Sequence, residues 1–195
     1  QVALYLFGAL TLGINLPAGL TGKLAGIPYC SDAAIAAAER TTGKEEQANS
    51  SCPSASQVGT TLVGAGAGSD PYYTGGKLYL AGPYKGAPLS VVAITPAVAG
   101  PFDLGDVVVR TALFVDPETA QITAKSDPLP QFLKGVQLRI RDVRINLDRS
   151  DFMLNPTNCE PKSIAVPVHG NSGATADLSN RFQVGGCGDL PFAPN

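Results

Sequence analysis

The chain has 195 residues, of which 44% are apolar and only 15% are charged, so it is long enough to bury a core of its own as one domain. Its 22 glycines and 16 prolines indicate many turns, at a density below that of disordered low-complexity chains. The net charge of −2 and the pI near 5.3 lack the basic excess of nucleic-acid-binding proteins and of polybasic membrane anchors, so we expect no nucleic acid partner and no membrane insertion.

The first predicted elements are a strand and a helix. Between residues 10 and 16 the apolar residues fall at every second position, which is the period of a strand. Ser31 then provides an N-cap for a short helix from Asp32 to about Arg40, and Gly43 is expected to stop that helix. The polar stretch that follows is predicted to be a loop.

Short runs of apolar and β-branched residues continue to the end of the chain, separated by turns. The clearest hairpin has two such runs around 116–119, where Pro117 suits the second position of a type I turn. The apolar alternation changes parity at Arg141 and Asp142, which predicts a β-bulge or a sharp bend. The predicted strands lie within 56–68, 75–84, 88–100, 105–126, 135–154, 162–170 and 179–186.

These elements favour an all-β fold, because about eight to ten short strands with frequent turns leave room for only one helix. We expect an antiparallel β-sandwich of two packed sheets with one short N-terminal helix. The sequence contains no internal repeat and no linker, so residues 1–195 are predicted to form a single domain.

The four cysteines lie far apart and include no C-x-x-C pair, and the chain has one histidine, so a structural zinc site is not expected. We expect disulfides formed in an oxidising compartment, rather than the alternative of four buried free thiols in a cytosolic protein. Three pairings are possible. We favour Cys30–Cys52 and Cys159–Cys187, because each pair brackets a polar, turn-rich stretch.

Candidate ligand-binding residues are few. Four tyrosines could form a sugar-stacking surface, although tyrosine packed over a sheet edge is the more common arrangement. Four oxygen-bearing side chains could bind calcium, but they lack the D-x-[DN]-x-[DN]-G spacing and are explained equally well by turns, so no metal and no other cofactor is predicted. The tyrosines are Tyr72, Tyr73, Tyr79 and Tyr84, and the calcium candidates are Asp148, Asp151, Asn155 and Asn158.

The one histidine, His169, is the only ordinary general base near neutral pH. With Ser163 or Ser172 and Asp177 it could form a catalytic triad, but no G-x-S-x-G elbow supports this arrangement. Because His169 follows an apolar run and precedes Gly170, we expect it at the end of a strand, in water. No catalytic residue is predicted.

Several longer stretches carry a family resemblance. They include LPAGLTGKLAGIPYCSDAAIAAA at 16–38, GAGAGSDPYYTGGKLYLAGPY at 64–84, IRDVRINLDRSDFMLNPTNC at 140–159 and LSNRFQVGGC at 178–187. These stretches resemble segments of large secreted proteins of high-GC Gram-positive bacteria, the actinobacteria. The similarity runs from about residue 14 to residue 192, and that family has no established activity, substrate or cofactor. The resemblance therefore implies an exported fragment of a longer chain, and it identifies no catalytic residue.

We therefore expect a non-catalytic structural or adhesive module of a larger extracellular or cell-surface protein, with neighbouring domains of the same polypeptide as partners. A module that binds cell-wall or surface glycans is one alternative, and three adjacent exposed tyrosines would favour it. A secreted hydrolase is the other alternative, and it would need a cleft that holds His169 or a close pair of carboxylates.

Overall fold

The computed structural model describes residues 2–5, 9–170 and 172–186, and before residue 11 it describes the backbone alone. The helices are α1 (Asp32–Ala38) and α2 (Gly43–Ala48), and a single 3-10 turn follows at Ser54–Ser56. The strands are β1 (Val2–Tyr5), β2 (Ala9–Asn15), β3 (Thr21–Gly22), β4 (Gln57–Ala65), β5 (Tyr72–Ala81), β6 (Leu89–Ala99), β7 (Phe102–Val115), β8 (Ile122–Ser126), β9 (Phe132–Leu133), β10 (Val136–Gln137), β11 (Ile140–Asn146), β12 (Met153–Leu154), β13 (Lys162–Gly170) and β14 (Thr175–Phe182).

The described part of the chain is mostly β, and its strand pairs are antiparallel. A sheet of ten strands has the order β1-β11-β4-β5-β6-β7-β8-β2-β13-β14. Two small ladders join β3 to β12 and β9 to β10. The described sheet therefore begins at β1 and ends at β14.

The large sheet curls so that strands far apart in its order face each other. Val143 of β11, Leu12 of β2 and Val166 of β13 belong to one buried apolar cluster. In the strand order β11 and β2 are six places apart, which in a flat sheet would be about 29 Å at about 4.8 Å for each strand. This cluster, the inner cluster, therefore fills the inside of the curl.

Helix α1 packs on the outer face of the sheet. Side chains alternate between the two faces along a strand. Tyr79 of β5 lies in a cluster with Ile35 of α1. Its neighbours Leu78 and Leu80 point to the other face and lie in a different cluster. Ile145 belongs both to that cluster and to the inner cluster. α2 contacts β6 and β7 beside α1.

Most of the predicted strands are confirmed, and so are two of their details. The hairpin of β7 and β8 turns at Asp116, whose Oδ1 accepts the N–H of Thr119 at 2.8 Å. The register between β11 and β4 shifts between Ile140 and Asp142, where the bulge was predicted. The predicted division into two packed sheets is not confirmed, because ten strands share one hydrogen-bonded order.

The helical region differs from the prediction. Ser31 caps α1 as expected, but α1 ends at Ala38 and follows three strands, so it is not N-terminal in the fold. Gly43 begins α2 instead of stopping α1. Thr42 and Glu45 form a capping box at the start of α2, so the stretch predicted as a loop is partly helical.

Candidate functional site

The Cys30–Cys52 disulfide is confirmed and lies in the core. Both cysteines are 1% exposed, and their Cα atoms are 5.2 Å apart. The Cys30 N–H donates to the carbonyl of Leu80 at 2.8 Å, and this hydrogen bond ties the helical segment to β5. Cys159 is also disulfide-bonded, but its predicted partner Cys187 lies outside the described residues.

The structure does not bring the four candidate tyrosines to one surface. Tyr79 is fully buried, so its ring cannot stack on a sugar. Tyr72 and Tyr73 are exposed neighbours in β5, and successive residues of a strand point to opposite faces. Tyr84 lies three residues beyond the other end of β5, and β5 itself spans about 30 Å from Tyr72 to Ala81 at about 3.3 Å for each residue. These rings therefore do not provide the side-by-side arrangement that sugar stacking needs.

Tyr84 is held in place by a polar cluster of its own. Its hydroxyl donates to Asp127 Oδ2 at 2.6 Å, and this hydrogen bond raises the pKa of Tyr84. The guanidinium carbon of Arg110 lies 4.2 Å from the centre of the Tyr84 ring. Arg110 also donates to Ser90 Oγ at 3.0 Å and to Asp32 Oδ1 at 2.8 Å. The cluster therefore links α1, β6 and β7, which is a structural role.

The calcium candidates do not form a described metal site. All four side chains are exposed, and Asp148 Oδ2 already accepts a hydrogen bond from Thr60 Oγ1 at 3.0 Å. Asp151 has a φ of 57°, as in a turn. Within the described ranges, no group of three or more His, Cys, Asp or Glu side chains could hold a metal ion.

His169 is exposed at the end of β13, as predicted. It lies opposite Thr175 of β14. Ser163 is six residues away along the same strand, which corresponds to about 20 Å. That distance is too long for a hydrogen bond between a nucleophile and its base. Ser163 and His169 therefore do not form a catalytic pair.

Asp142 of β11 is a buried carboxylate that the sequence analysis did not identify. It is 1% exposed, and its Oδ2 accepts from the Tyr73 hydroxyl at 2.8 Å and from Arg144 Nε at 2.9 Å. Gly64 of β4 lies between Asp142 and Tyr73 in the register. A Cβ at Gly64 would lie 2.8 Å from Tyr73 Cε1, so the glycine lets the ring cross β4.

A second buried carboxylate, Asp106 of β7, lies close to α2. It is 7% exposed, and neither of its oxygens has a hydrogen-bond partner among the described residues. Burial, followed by the negative charges of Glu46 and Asp103, raises the pKa of Asp106 to about 6. Glu46 is 4% exposed and accepts from Ser51 Oγ at 2.6 Å. Both acids are enclosed, so they cannot contact a substrate as the acid and base of a hydrolase must.

Asp103 anchors the start of α2 to the sheet. Its carboxylate accepts the N–H of Gly43 at 2.8 Å, of Lys44 at 2.9 Å and of Gly105 at 2.8 Å. These hydrogen bonds lower the pKa of Asp103, and the one from the Lys44 N–H contributes most. Asp103 and Asp106 therefore have opposite pKa shifts within one short stretch of β7.

The last strand, β14, is exposed along almost its whole length. Its residues from Thr175 to Arg181 are all exposed, and Leu178 is 42% exposed. β14 pairs with β13 on one side, and no strand of the described ranges pairs with its other side. In TADLSNRF the apolar residues Ala176, Leu178 and Phe182 fall on even positions and only Asn180 interrupts them, and this alternation is the signal that could have predicted a strand from Thr175.

Alternate residues of β14 direct their backbone groups away from β13, to the side on which no strand of the described ranges pairs. The Gly170 N–H donates to the Ala174 carbonyl at 2.8 Å, and hydrogen-bonded and non-hydrogen-bonded pairs alternate along antiparallel strands. The odd-numbered residues of β14 are therefore in non-hydrogen-bonded pairs with β13. Pro167, which has no N–H, lies opposite Asp177 and agrees with this pattern. The N–H and C=O of Ser179, for example, point away from β13.

No family model, no curated protein and no solved structure matches the chain. Across the residues that the structure describes, no helix combines the length and the apolar character needed to cross a bilayer. Of the two strands at the ends of the described sheet, β14 with eight residues is longer than β1 with four.

Proposed function

We propose that the chain is a non-catalytic structural or adhesive module of a larger secreted or cell-surface protein. The observation that carries this proposal is β14, an eight-residue strand at the end of the described sheet, whose side chains are exposed along almost its whole length. An exposed edge strand binds another chain by adding a strand to the sheet. A module that holds neighbouring chains together needs such an edge and needs no reactive group.

The location outside the cell is supported by the Cys30–Cys52 disulfide. Disulfides persist in oxidising compartments and are rare in the cytosol. Neighbouring domains of the same polypeptide and glycans of the cell wall are the partner classes that we propose. In this proposal the two halves of the curled sheet act as the layers of a β-sandwich, which is supported by the contact cluster that Leu12 shares with Val143.

Adhesion through the edge is tested with Ser179→Pro. Proline removes an outward N–H that β13 does not use, so it blocks the edge without breaking the pairing of β13 with β14. Ser179→Thr keeps the N–H and is the matched control. Beads coated with each protein are passed under flow over actinobacterial cell walls and over a surface coated with the wild-type chain.

We expect wild-type and Ser179→Thr beads to be retained on at least one of these surfaces, and at least ten times fewer Ser179→Pro beads to be retained. Circular dichroism would check that all three proteins keep the same strand content. The proposal is wrong if wild-type beads bind neither surface, or if Ser179→Pro beads bind as well as wild-type beads.

A further inference from the structure

We propose that β14 pairs with β14 of a second copy of this chain, antiparallel and about a two-fold axis, with Ser179 opposite Ser179. This inference rests on the proposed adhesive function of the edge, and it names the partner. It follows from three features of β14: the direction of its backbone groups, the positions of its two charges and the absence of proline, lysine and bulges.

The backbone of β14 suits this register. In a hydrogen-bonded antiparallel pair, both residues direct their N–H and C=O toward the partner strand. The backbone N–H and C=O groups of the odd-numbered residues of β14 point away from β13. A two-fold axis through Ser179 therefore brings only these residues into hydrogen-bonded pairs. The pairs would be Ser179 with Ser179, and Asp177 with Arg181 on each side.

The charges of β14 select this register among its neighbours. Asp177 and Arg181 are exposed, and neither makes an ion pair or a side-chain hydrogen bond within the described ranges. With the axis at Ser179, each Asp177 faces an Arg181 of the other copy, and directly opposed unlike charges stabilise a pair of strands. An axis at Asp177 or at Arg181 would instead place like charges opposite each other.

β14 also lacks three of the features that commonly prevent edge pairing. Protected edges carry prolines, bulges or charged side chains, above all lysine. The eight residues of β14 include neither proline nor lysine, and their pairing with β13 shows no register shift. Leu178, 42% exposed, would be partly covered by the second copy. One added strand buries less than the roughly 1,200 Å² of a standard interface, so we expect a weak dimer that gains strength when many copies are linked.

The register is tested by exchanging its two charges. Asp177→Arg and Arg181→Asp each place like charges opposite each other, whereas the double variant restores two unlike pairs in the same geometry. Sedimentation velocity of the purified protein would be measured from about 10 µM to about 1 mM, the range in which weak interfaces associate. We expect dimers for the wild type and the double variant, and a dissociation constant at least tenfold higher for each single variant.

A chemical cross-link provides a second readout. Ser179→Cys places the two new thiols about 5.5 Å apart between Cα atoms, so a short bis-maleimide would join two chains. Thr175→Cys is the control, because the two copies of residue 175 would be about 27 Å apart along the paired strands. We expect covalent dimers from the first variant and not from the second, after circular dichroism has shown that both are folded.

The inference is overturned if the wild type stays monomeric over this concentration range, if the double variant is no more dimeric than the single variants, or if Thr175→Cys cross-links as well as Ser179→Cys. These outcomes separate it from the proposed function. A chain that binds cell walls through its edge and does not dimerise contradicts the second copy alone. A chain that adheres to neither surface contradicts both proposals.

Discussion

Tyr73 and Asp142 are joined by a hydrogen bond of 2.8 Å that crosses an intervening strand. The Tyr73 ring passes over Gly64 of β4 to reach the carboxylate, which also binds Arg144. Because Asp142 is buried, its charge depends on these two partners for compensation. The absence of a side chain at Gly64 is therefore a condition for the contact.

We predict that Gly64→Ala destabilises the protein by about 1–3 kcal/mol, because the new methyl group displaces the Tyr73 ring and leaves the buried carboxylate with one partner fewer. Urea denaturation would measure the loss. Gly75→Ala on β5 is the control, since its Cβ would meet only the Thr61 carbonyl oxygen at 3.9 Å. An equal effect at both positions would contradict the role of Tyr73.

We predict that Asp106→Asn stabilises the protein at pH 7 by about 1–2 kcal/mol, because it removes a buried charge that accepts no hydrogen bond among the described residues. The pKa of Asp106 is raised to about 6, so the folded state holds this proton more tightly than the unfolded state. The wild-type protein therefore loses stability as the pH rises from about 4 to about 6. The advantage of the variant should shrink as the pH falls through this window.

The control for that prediction is Asp103→Asn, which should destabilise the protein at pH 7. Hydrogen bonds from backbone N–H groups lower the pKa of Asp103, and the bond from Lys44 contributes most. Its charge therefore stabilises the folded protein at neutral pH, and this contribution is lost as the pH falls through the folded pKa. Urea denaturation of both variants between pH 4 and pH 7 would check the two signs. A stabilising Asp103→Asn at pH 7 would contradict this account of the start of α2.

We predict that replacing both Cys30 and Cys52 by alanine lowers the stability by about 3 kcal/mol and leaves the protein folded. The bond closes a loop with a sequence separation of 22 residues, and the chain-entropy estimate for a loop of that size is about 3 kcal/mol. For a domain of this length the melting temperature would fall by about 6–12 °C. Identical melting curves would show that the bond does not contribute to stability.

We predict that Arg110→Lys costs about 1–2 kcal/mol although it keeps the charge. Lysine cannot reproduce the flat guanidinium over Tyr84, nor its simultaneous hydrogen bonds to Ser90 and Asp32. Arg139→Lys is the matched control, because Arg139 is exposed and donates only to Gln137 among the described residues. Thermal unfolding of both variants should show a loss for the first substitution only.

Local features of the fold could be predicted from the sequence. The turn at Asp116 and the bulge before Asp142 depend on neighbouring residues, since turn chemistry and apolar alternation are local properties. The start of α2 was also visible, because Thr42 and Glu45 have the spacing of a capping box. The prediction of a loop in this segment depended on its polar composition alone.

Long-range features could not be predicted in the same way. Tyr73 and Asp142 are 69 residues apart, and only the strand order brings them together. The burial of Tyr79 depends on the helical segment that covers one face of β5, which alternation does not specify. The exposure of β14 depends on its place at the end of the described sheet. The candidate functional surface was missed for this reason.

The Cys30–Cys52 bond has a further consequence for the products of proteolysis. Both helices lie inside the closed loop, between the two cysteines. A protease that cuts the chain anywhere from residue 31 to residue 51 would separate two polypeptides that the sulfur bridge still holds together. Proteolytic nicking of this segment would therefore leave a single covalent molecule, whose two pieces come apart only on reduction.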